Sequence, residues 1–277
     1  MTETTTQAGH NTNQRSLIIA TAGHVDHGKS SLVNKITGTN TDTLREEKER
    51  GLSINLGYAY YNLPATENDV TSGYVIGFVD VPGHADFINN MLAGVGTVDY
   101  ALLVIAADDG IMPQTREHLS ILDLLGISKG VIALTKTDKC NAQQITEVSG
   151  EITELLSSTC LKKAPIFPVS SLTGEGLDTL LEFLQNTLRE TKSDEALQQN
   201  HNPRFLIDRS FSVKGIGTVV TGSLRSGKLH VGDSMLHSGT RQKTKIRGLR
   251  QDTANIKDAL AGQRAAANIG IDQNSIT

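Results

Sequence analysis

The stretch "LIIATAGHVDHGKSSLVNKIT" (17–37) constrains the chain most. A largely apolar run of six residues gives way without a spacer to "GHVDHGKS" (23–30), and a helical pattern starts at once. Gly23, Gly28, Lys29 and Ser30 satisfy G-x-x-x-x-G-K-[ST]. In a strand–loop–helix context this pattern cradles phosphate: backbone N–H groups and the helix N-terminus hold the oxygens, the lysine bridges the outer phosphates, and the hydroxyl ligates Mg²⁺. Taken alone, the same glycines also fit a turn that caps a helix. His24, Val25, Asp26, His27 and Ser31 complete the loop. Two histidines and an aspartate are not required by a phosphate cradle as such. A loop already committed to phosphate argues against reading His24 and His27 as metal ligands.

Downstream, apolar runs alternate with helical patterns. "YVIGFVD" (74–80), "YALLVIA" (100–106), "GVIALT" (130–135) and "IFPVS" (166–170) read as buried strands, with helices expected over 84–96, 114–126, 142–160 and 176–190. The alternation predicts an α/β fold, a doubly wound and mostly parallel sheet. "LGYAYYNLP" (56–64) stands directly before 74–80 and reads as one arm of an antiparallel edge hairpin. Residues 191–203 are polar and end in Pro203, and read as a linker. From 204 the helical pattern stops; short β-rich runs broken by glycine predict an antiparallel β-barrel over 204–277.

Charge follows the same division. Residues 204–277 hold 12 Lys/Arg against 5 Asp/Glu, whereas the rest holds 14 against 25, although the chain as a whole carries only −4. The basic segment is either a solvated surface or a nucleic-acid contact. The first sixteen residues are polar, have no apolar core of a secretory signal, and read as a disordered tail; no run is long enough for a membrane span. Cys140 and Cys160 have neither metal-ligand spacing nor disulfide density. They read as free thiols of a reducing, cytoplasmic compartment.

Two more motifs fall at strand ends. In "DVPGH" (80–84), Asp80 can hold Mg²⁺ through water and Gly83 leaves its N–H free to approach a terminal phosphate. In "TKTD" (135–138), Asp138 can accept two hydrogen bonds from the N1–H and N2–H₂ edge of guanine, a pair that adenine does not offer. A carboxylate built for that pair rejects the wrong base strongly. The stem of Lys136 can cover the base, and backbone N–H groups of Ser170, Ser171 and Leu172 can cap the guanine carbonyl. The order of motifs therefore points to GTP and GDP with Mg²⁺ as cofactors.

These stretches, with "MPQTREH" (112–118), resemble the translational GTPases related to elongation factor Tu, over about residues 17–277. Within them, "EEKERGLSINLGYAYY" (46–61), "NNMLAGVGTVDYALLVIAADDG" (90–110), "TKTD" and "IDRSFSVKGIGTVVTGS" (207–223) are similar to the bacterial selenocysteine-specific elongation factors. The resemblance implies a P-loop GTPase domain over 17–190 and translation-factor domain II over 204–277, with GTP hydrolysis stimulated by the ribosome and selenocysteinyl-tRNA as cargo. It implies His84 as the catalytic residue that orients water, an apolar gate of Val25 and Leu52 that screens it, and Ser53 as a further Mg²⁺ ligand where relatives mostly have threonine. Thr135 stands where they mostly have asparagine, which implies softer packing of the base loop. The family also carries a third barrel and C-terminal modules that bind a messenger hairpin, so the expectation is an N-terminal two-domain fragment. A selenolate cargo needs fixed positive charge: Asp208 is expected to hold an arginine in place, with Arg209 and Arg247 as the cations. The same arginines fit solvated strands or tRNA phosphates. Other readings stay open: a factor for another tRNA, the GTPase subunit that assists ATP sulfurylase, or a nucleotide-regulated binding module.

Overall fold

In the computed structural model, which describes residues 15–42, 44, 46–47, 53–63, 74–84, 87, 91–92, 98, 100–190, 201–251 and 254–276, the alternation becomes strands and helices. They are β1 (Arg15–Ala22), α1 (Lys29–Thr37), β2 (Gly57–Leu63), β3 (Tyr74–Asp80), β4 (Tyr100–Ala106), α2 (Pro113–Leu124), β5 (Lys129–Thr135), α3 (Ala142–Leu156), β6 (Ile166–Pro168) and α4 (Leu177–Glu190). The helix expected over 84–96 lies mostly outside the described residues.

The sheet order is β2-β3-β1-β4-β5-β6. β1 pairs with β4, β4 with β5, and β5 with β6, all parallel. β4 is buried at all seven positions, which is why its sequence is apolar without alternation. Ile105, Leu134, Leu122 and Ile152 share one core cluster. α4 meets its own core through Leu177, Leu180, Leu184 and Leu188, the three- and four-residue spacing of one helix face. α3 starts at a capping box in which Asn141 and Gln144 satisfy each other's backbone N–H. It ends at Leu156, before the expected 160, where Ser157 and Thr159 turn their N–H groups back onto Glu154 and Leu156. Parallel pairing brings the carboxyl ends of β1, β4, β5 and β6 to one side, and that is where the loops of interest emerge.

The chain divides into two compact units: one spans 17–61 and 75–192, and the other holds 193–277. The second is all β: β7 (Arg204–Val213), β8 (Gly217–Ser226), β9 (Lys228–His230), β10 (Ser234–Leu236), β11 (Lys243–Lys245), β12 (Gly248–Gln251), β13 (Ala254–Ile256), β14 (Asp258–Leu260) and β15 (Arg264–Ile269). A sheet of order β13-β12-β15-β8-β7 is joined by the ribbons β10–β11 and β9–β14, and the pairings β7–β8, β8–β15, β12–β15 and β12–β13 are antiparallel. Val220, Leu224, Leu229, Leu249 and Ala267 lie in its core. Between Ile207 and Arg209 the register against β8 slips by one residue, leaving Asp208 as the bulge. A bulge re-aims a side chain, and this one sends the carboxylate to Arg264. No helix among the described residues is long and apolar enough to cross a membrane.

Candidate nucleotide site

The loop between β1 and α1 is held by contacts far away in sequence. A Cβ on Gly23 (φ 132°) would run into the carbonyl oxygen of Val104 on β4. Gly23 N–H donates to His118 Nδ1 at 2.9 Å, and Val25 N–H donates to Gln114 Oε1 at 3.1 Å. Thr135 Oγ1 donates to His27 O at 2.6 Å and lies 3.3 Å from Ile105 O. The Thr135 hydroxyl thus ties the start of the 135–138 loop directly to the 23–30 loop. Asp26 (φ 63°) and Lys136 (φ 57°) are non-glycine residues in the left-handed region. Strain of this kind concentrates at functional sites, and both residues line the cleft.

Lys29 is 6% exposed. Its Nζ donates to Gly23 O at 3.1 Å and His24 O at 2.8 Å. Burial lowers its pKa to about 8, against the pull of Asp80, Asp26 and Asp42. Gly83 comes so close that a Cβ would strike Lys29 Nζ and lie 2.8 Å from Val25 N. Beside this cation is a cavity of about 170 Å³ lined by Val25, Asp26, Gly28, Lys29, Ser30, Ser31, Asp42, Ser53 and Gly83.

Side-chain oxygens gather at the same end. Ser30 Oγ is 2.9 Å from Ser53 Oγ, and Ser53 donates to Asp42 Oδ1 at 2.6 Å. Asp80 is buried and accepts from Thr21 Oγ1 at 2.9 Å and Thr41 Oγ1 at 2.6 Å. Burial pushes its carboxyl upward, opposed by the Thr41 and Ser30 hydroxyls. A second cavity, about 600 Å³, shares Asp26, Gly28 and Ser31 and continues to Thr135, Lys136, Asp138, Ser171 and Leu172. Lys136 Nζ reaches Asp109 at 3.2 Å and Asp108 at 3.4 Å, which fixes its stem.

Ser170 needs a correction. It is fully buried, its N–H donates to Glu175 O at 2.9 Å, and its hydroxyl donates to Asp138. It orients the carboxylate and does not offer an N–H to a base; Ser171 and Leu172 face the cavity. His27 is buried with Nε2 unpaired and 4.0 Å from Asp109, and burial together with His24 lowers its pKa to about 4. His24 meets it edge-on, ring centroids 5.0 Å apart. His84 is half-buried, 6.0 Å ring to ring from Phe87, and does not line the phosphate cavity. Leu52, the expected partner of Val25 in the gate, lies outside the described residues.

The candidates in the β unit are not brought together as expected. The arginine held by Asp208 is Arg264: Nη2 donates to Oδ1 at 2.9 Å and Nη1 contacts Oδ2, while Thr221 Oγ1 adds a bond of 2.8 Å. Arg209 is exposed and shares a hollow of about 450 Å³ with Asp208, Met235 and His237. Arg247 is exposed and lies elsewhere, beside Gly217 and Gly270.

Sequence reasoning passed over Thr41, Asp42, Gln114 and His118. Only the last two left a signal: Gln114 and His118 are four apart at the start of α2, hence on one face.

A family model described as "Elongation factor Tu GTP binding domain" matches residues 14–190, and "Elongation factor Tu domain 2" matches 217–275. The chain is 47% identical over 256 residues to the selenocysteine-specific elongation factor of Escherichia coli (strain K12), covering 92% of this chain and 40% of that protein. Among solved structures it resembles bacterial selenocysteine-specific elongation factor EF-Sec, with a TM-score of 0.85, 35% identity, and coverage of 95% of this chain and 44% of that one. It also resembles elongation factor SelB from Methanococcus maripaludis in complex with the GTP analogue GppNHp, with a TM-score of 0.78, 31% identity, and coverage of 96% and 54%. The chain thus spans about half or less of the length of these relatives. With the strand–loop–helix cradle and the two cavities around it, the match shows that the chain belongs to the elongation factor Tu GTP-binding domain family.

Proposed function

We propose that this chain binds and hydrolyses GTP as part of a factor that carries selenocysteinyl-tRNA to the ribosome. The observation that carries the nucleotide reading is Lys29. A buried ammonium is costly unless an anion compensates it; Asp80, Asp26 and Asp42 act on Lys29 from nearby, yet among the described residues its hydrogen bonds go to carbonyl oxygens beside an open cavity. A phosphate chain there supplies an anion in direct hydrogen-bond contact, met by the N-terminus of α1 and by the approach that Gly83 leaves open.

The other end supplies base selection. Asp138, braced by Ser170, accepts from the guanine edge; Lys136 covers the ring, and Ser171 and Leu172 close the side. Mg²⁺ fits the first cavity: Ser30, Ser53 and Asp42 line it with hard oxygens of the kind that ion prefers, and the buried Asp80 carboxylate, held by Thr41, would act on the ion from behind them. When bound, it neutralises charge that develops on the phosphates. His84 orients the attacking water, and Val25 with Leu52 screens it until the ribosome engages. The relative at 47% identity supports the selenocysteine cargo, and Arg209 beside Asp208 is the cation we assign to it in the β unit.

Replacing Asp138 by asparagine turns an acceptor into a donor that faces donors. GTP affinity should fall by about 3 kcal/mol, and xanthosine triphosphate, which has a carbonyl where guanine has N2, should be partly rescued. Calorimetry that shows Asp138→Asn binding GTP like the parent would overturn the base assignment. Retention of selenocysteinyl-tRNA over seryl-tRNA in the presence of GTP tests the cargo.

A further inference from the structure

The loop between α1 and β2 presents two of the oxygens at the phosphate cavity, Asp42 near its start and Ser53 near its end. A loop this polar needs partners for its backbone groups. Glu47, 2% exposed, supplies them. Its Oε2 accepts Leu44 N–H at 2.8 Å, and its Oε1 accepts Ile54 N–H at 3.1 Å and Asn55 N–H at 3.0 Å. One carboxylate therefore joins the two flanks of the loop, two residues from Asp42 on one side and one residue from Ser53 on the other. Between those flanks the Ser53 hydroxyl bonds Asp42 and sits 2.9 Å from Ser30 Oγ. Charge-assisted bonds to backbone N–H are the strong, directional kind, so the position of the Ser53 hydroxyl depends on Glu47.

We propose that Glu47 is a positioning residue: it holds the loop in the arrangement that places Ser53 beside Ser30, and thereby sets the preference for a nucleoside triphosphate over a diphosphate. The inference rests on the nucleotide reading above. Ser53 reaches the cavity from the loop before β2 and Ser30 from the start of α1, so the Ser53 contribution counts when a third phosphate and the cation are both present. Among the described residues the Glu47 bonds given above fall on Leu44, Ile54 and Asn55, outside the cradle, so diphosphate binding should not call on them.

The test is calorimetry on the 277-residue chain with a non-hydrolysable GTP analogue and with GDP, each with and without Mg²⁺, for the parent, Glu47→Gln, Ser53→Ala and the double variant. Glu47→Gln keeps the size but replaces one acceptor oxygen by a donor that faces an N–H. Triphosphate binding should weaken about tenfold or more, as for loss of a bond to a charged group. GDP binding should stay within about twofold, which also reports that the variant is folded. Because Glu47 acts through Ser53, the double variant should bind the triphosphate no more weakly than Ser53→Ala alone. Equal weakening of both nucleotides, unchanged triphosphate binding, or additive losses in the double variant would each overturn the inference. A parent chain that binds neither nucleotide overturns the nucleotide reading and this inference with it.

Discussion

Two buried cations, one in each unit, are treated in opposite ways. Arg264 in the β unit is 5% exposed and Lys29 in the α/β unit is 6% exposed, so both have left water to the same degree. Arg264 is matched by a forked pair of contacts to Asp208, whose second support is Thr221. Among the described residues Lys29 hydrogen-bonds carbonyl oxygens and no carboxylate directly, and burial draws its pKa down to about 8 against the pull of Asp80, Asp26 and Asp42. A buried charge with a complete partner is part of the architecture; one without is a site prepared for something that arrives. Planar guanidinium suits the first role because it matches a carboxylate in two bonds, and the point charge of an ammonium suits the second.

The comparison is broken most readily at the closed pair. Arg264→Met leaves a desolvated carboxylate unpaired and should cost the β unit about 3–5 kcal/mol in urea unfolding. Adding Asp208→Leu should return part of that loss, since an apolar pair of similar volume leaves no orphan charge. A single variant that unfolds like the parent would mean that the pair is not structural. The next effect belongs to the open site. Lys29→Met should reduce nucleotide affinity about 100-fold, near 3 kcal/mol, while the melting temperature without nucleotide falls no lower than that of the parent. If Lys29→Met destabilises the empty protein as Arg264→Met does, the contrast between the two cations fails.

The smallest effect concerns the histidines behind the phosphate loop. Burial, with Lys29 and His24 nearby, lowers His118 to about 3, and burial with His24 lowers His27 to about 4, from 6.5. Both are neutral in the folded chain, and His118 must be neutral to accept from Gly23 N–H. The unfolded chain takes up these protons first, so their stabilising contribution is complete above pH 6.5 and is lost as the pH falls toward the folded values. At pH 5 each costs about 2 kcal/mol. Urea unfolding at pH 7 and pH 5 should therefore show a loss about 2 kcal/mol smaller for His118→Gln than for the parent; equal losses would remove His118 from this account.

What could be read from the sequence follows the reach of the interactions. The strands 74–80 and 100–106 have the expected bounds, because a strand covered by core on both sides needs apolar residues throughout and polar loops on either side. The motifs at strand ends were readable for a related reason: each is a short local pattern at a place where parallel topology gathers loops. Pairings between distant segments were not readable. Nothing near Asp208 announces Arg264, 56 residues later, and Arg209 and Arg247 were the nearer cations by sequence and by motif. The occupied N–H of Ser170 and the hydroxyl of Thr135 likewise depend on partners that local pattern does not name. Thr41 and Asp42 sit in a run of threonine and asparagine, "TGTNTDT", whose composition is that of an ordinary loop.

The anchoring of the phosphate loop also has a consequence for folding order. Three of its outside bonds come from Gln114, His118 and Thr135, separated from their partners by 89, 95 and 108 residues. Contacts that span so much chain form only after the intervening segments have collapsed around them. The cradle sequence is complete before any of these partners in chain order, yet the cradle has no fixed shape until β5 has taken its place beside β4. The sequence of the loop precedes all three of these partners, and its shape waits for them.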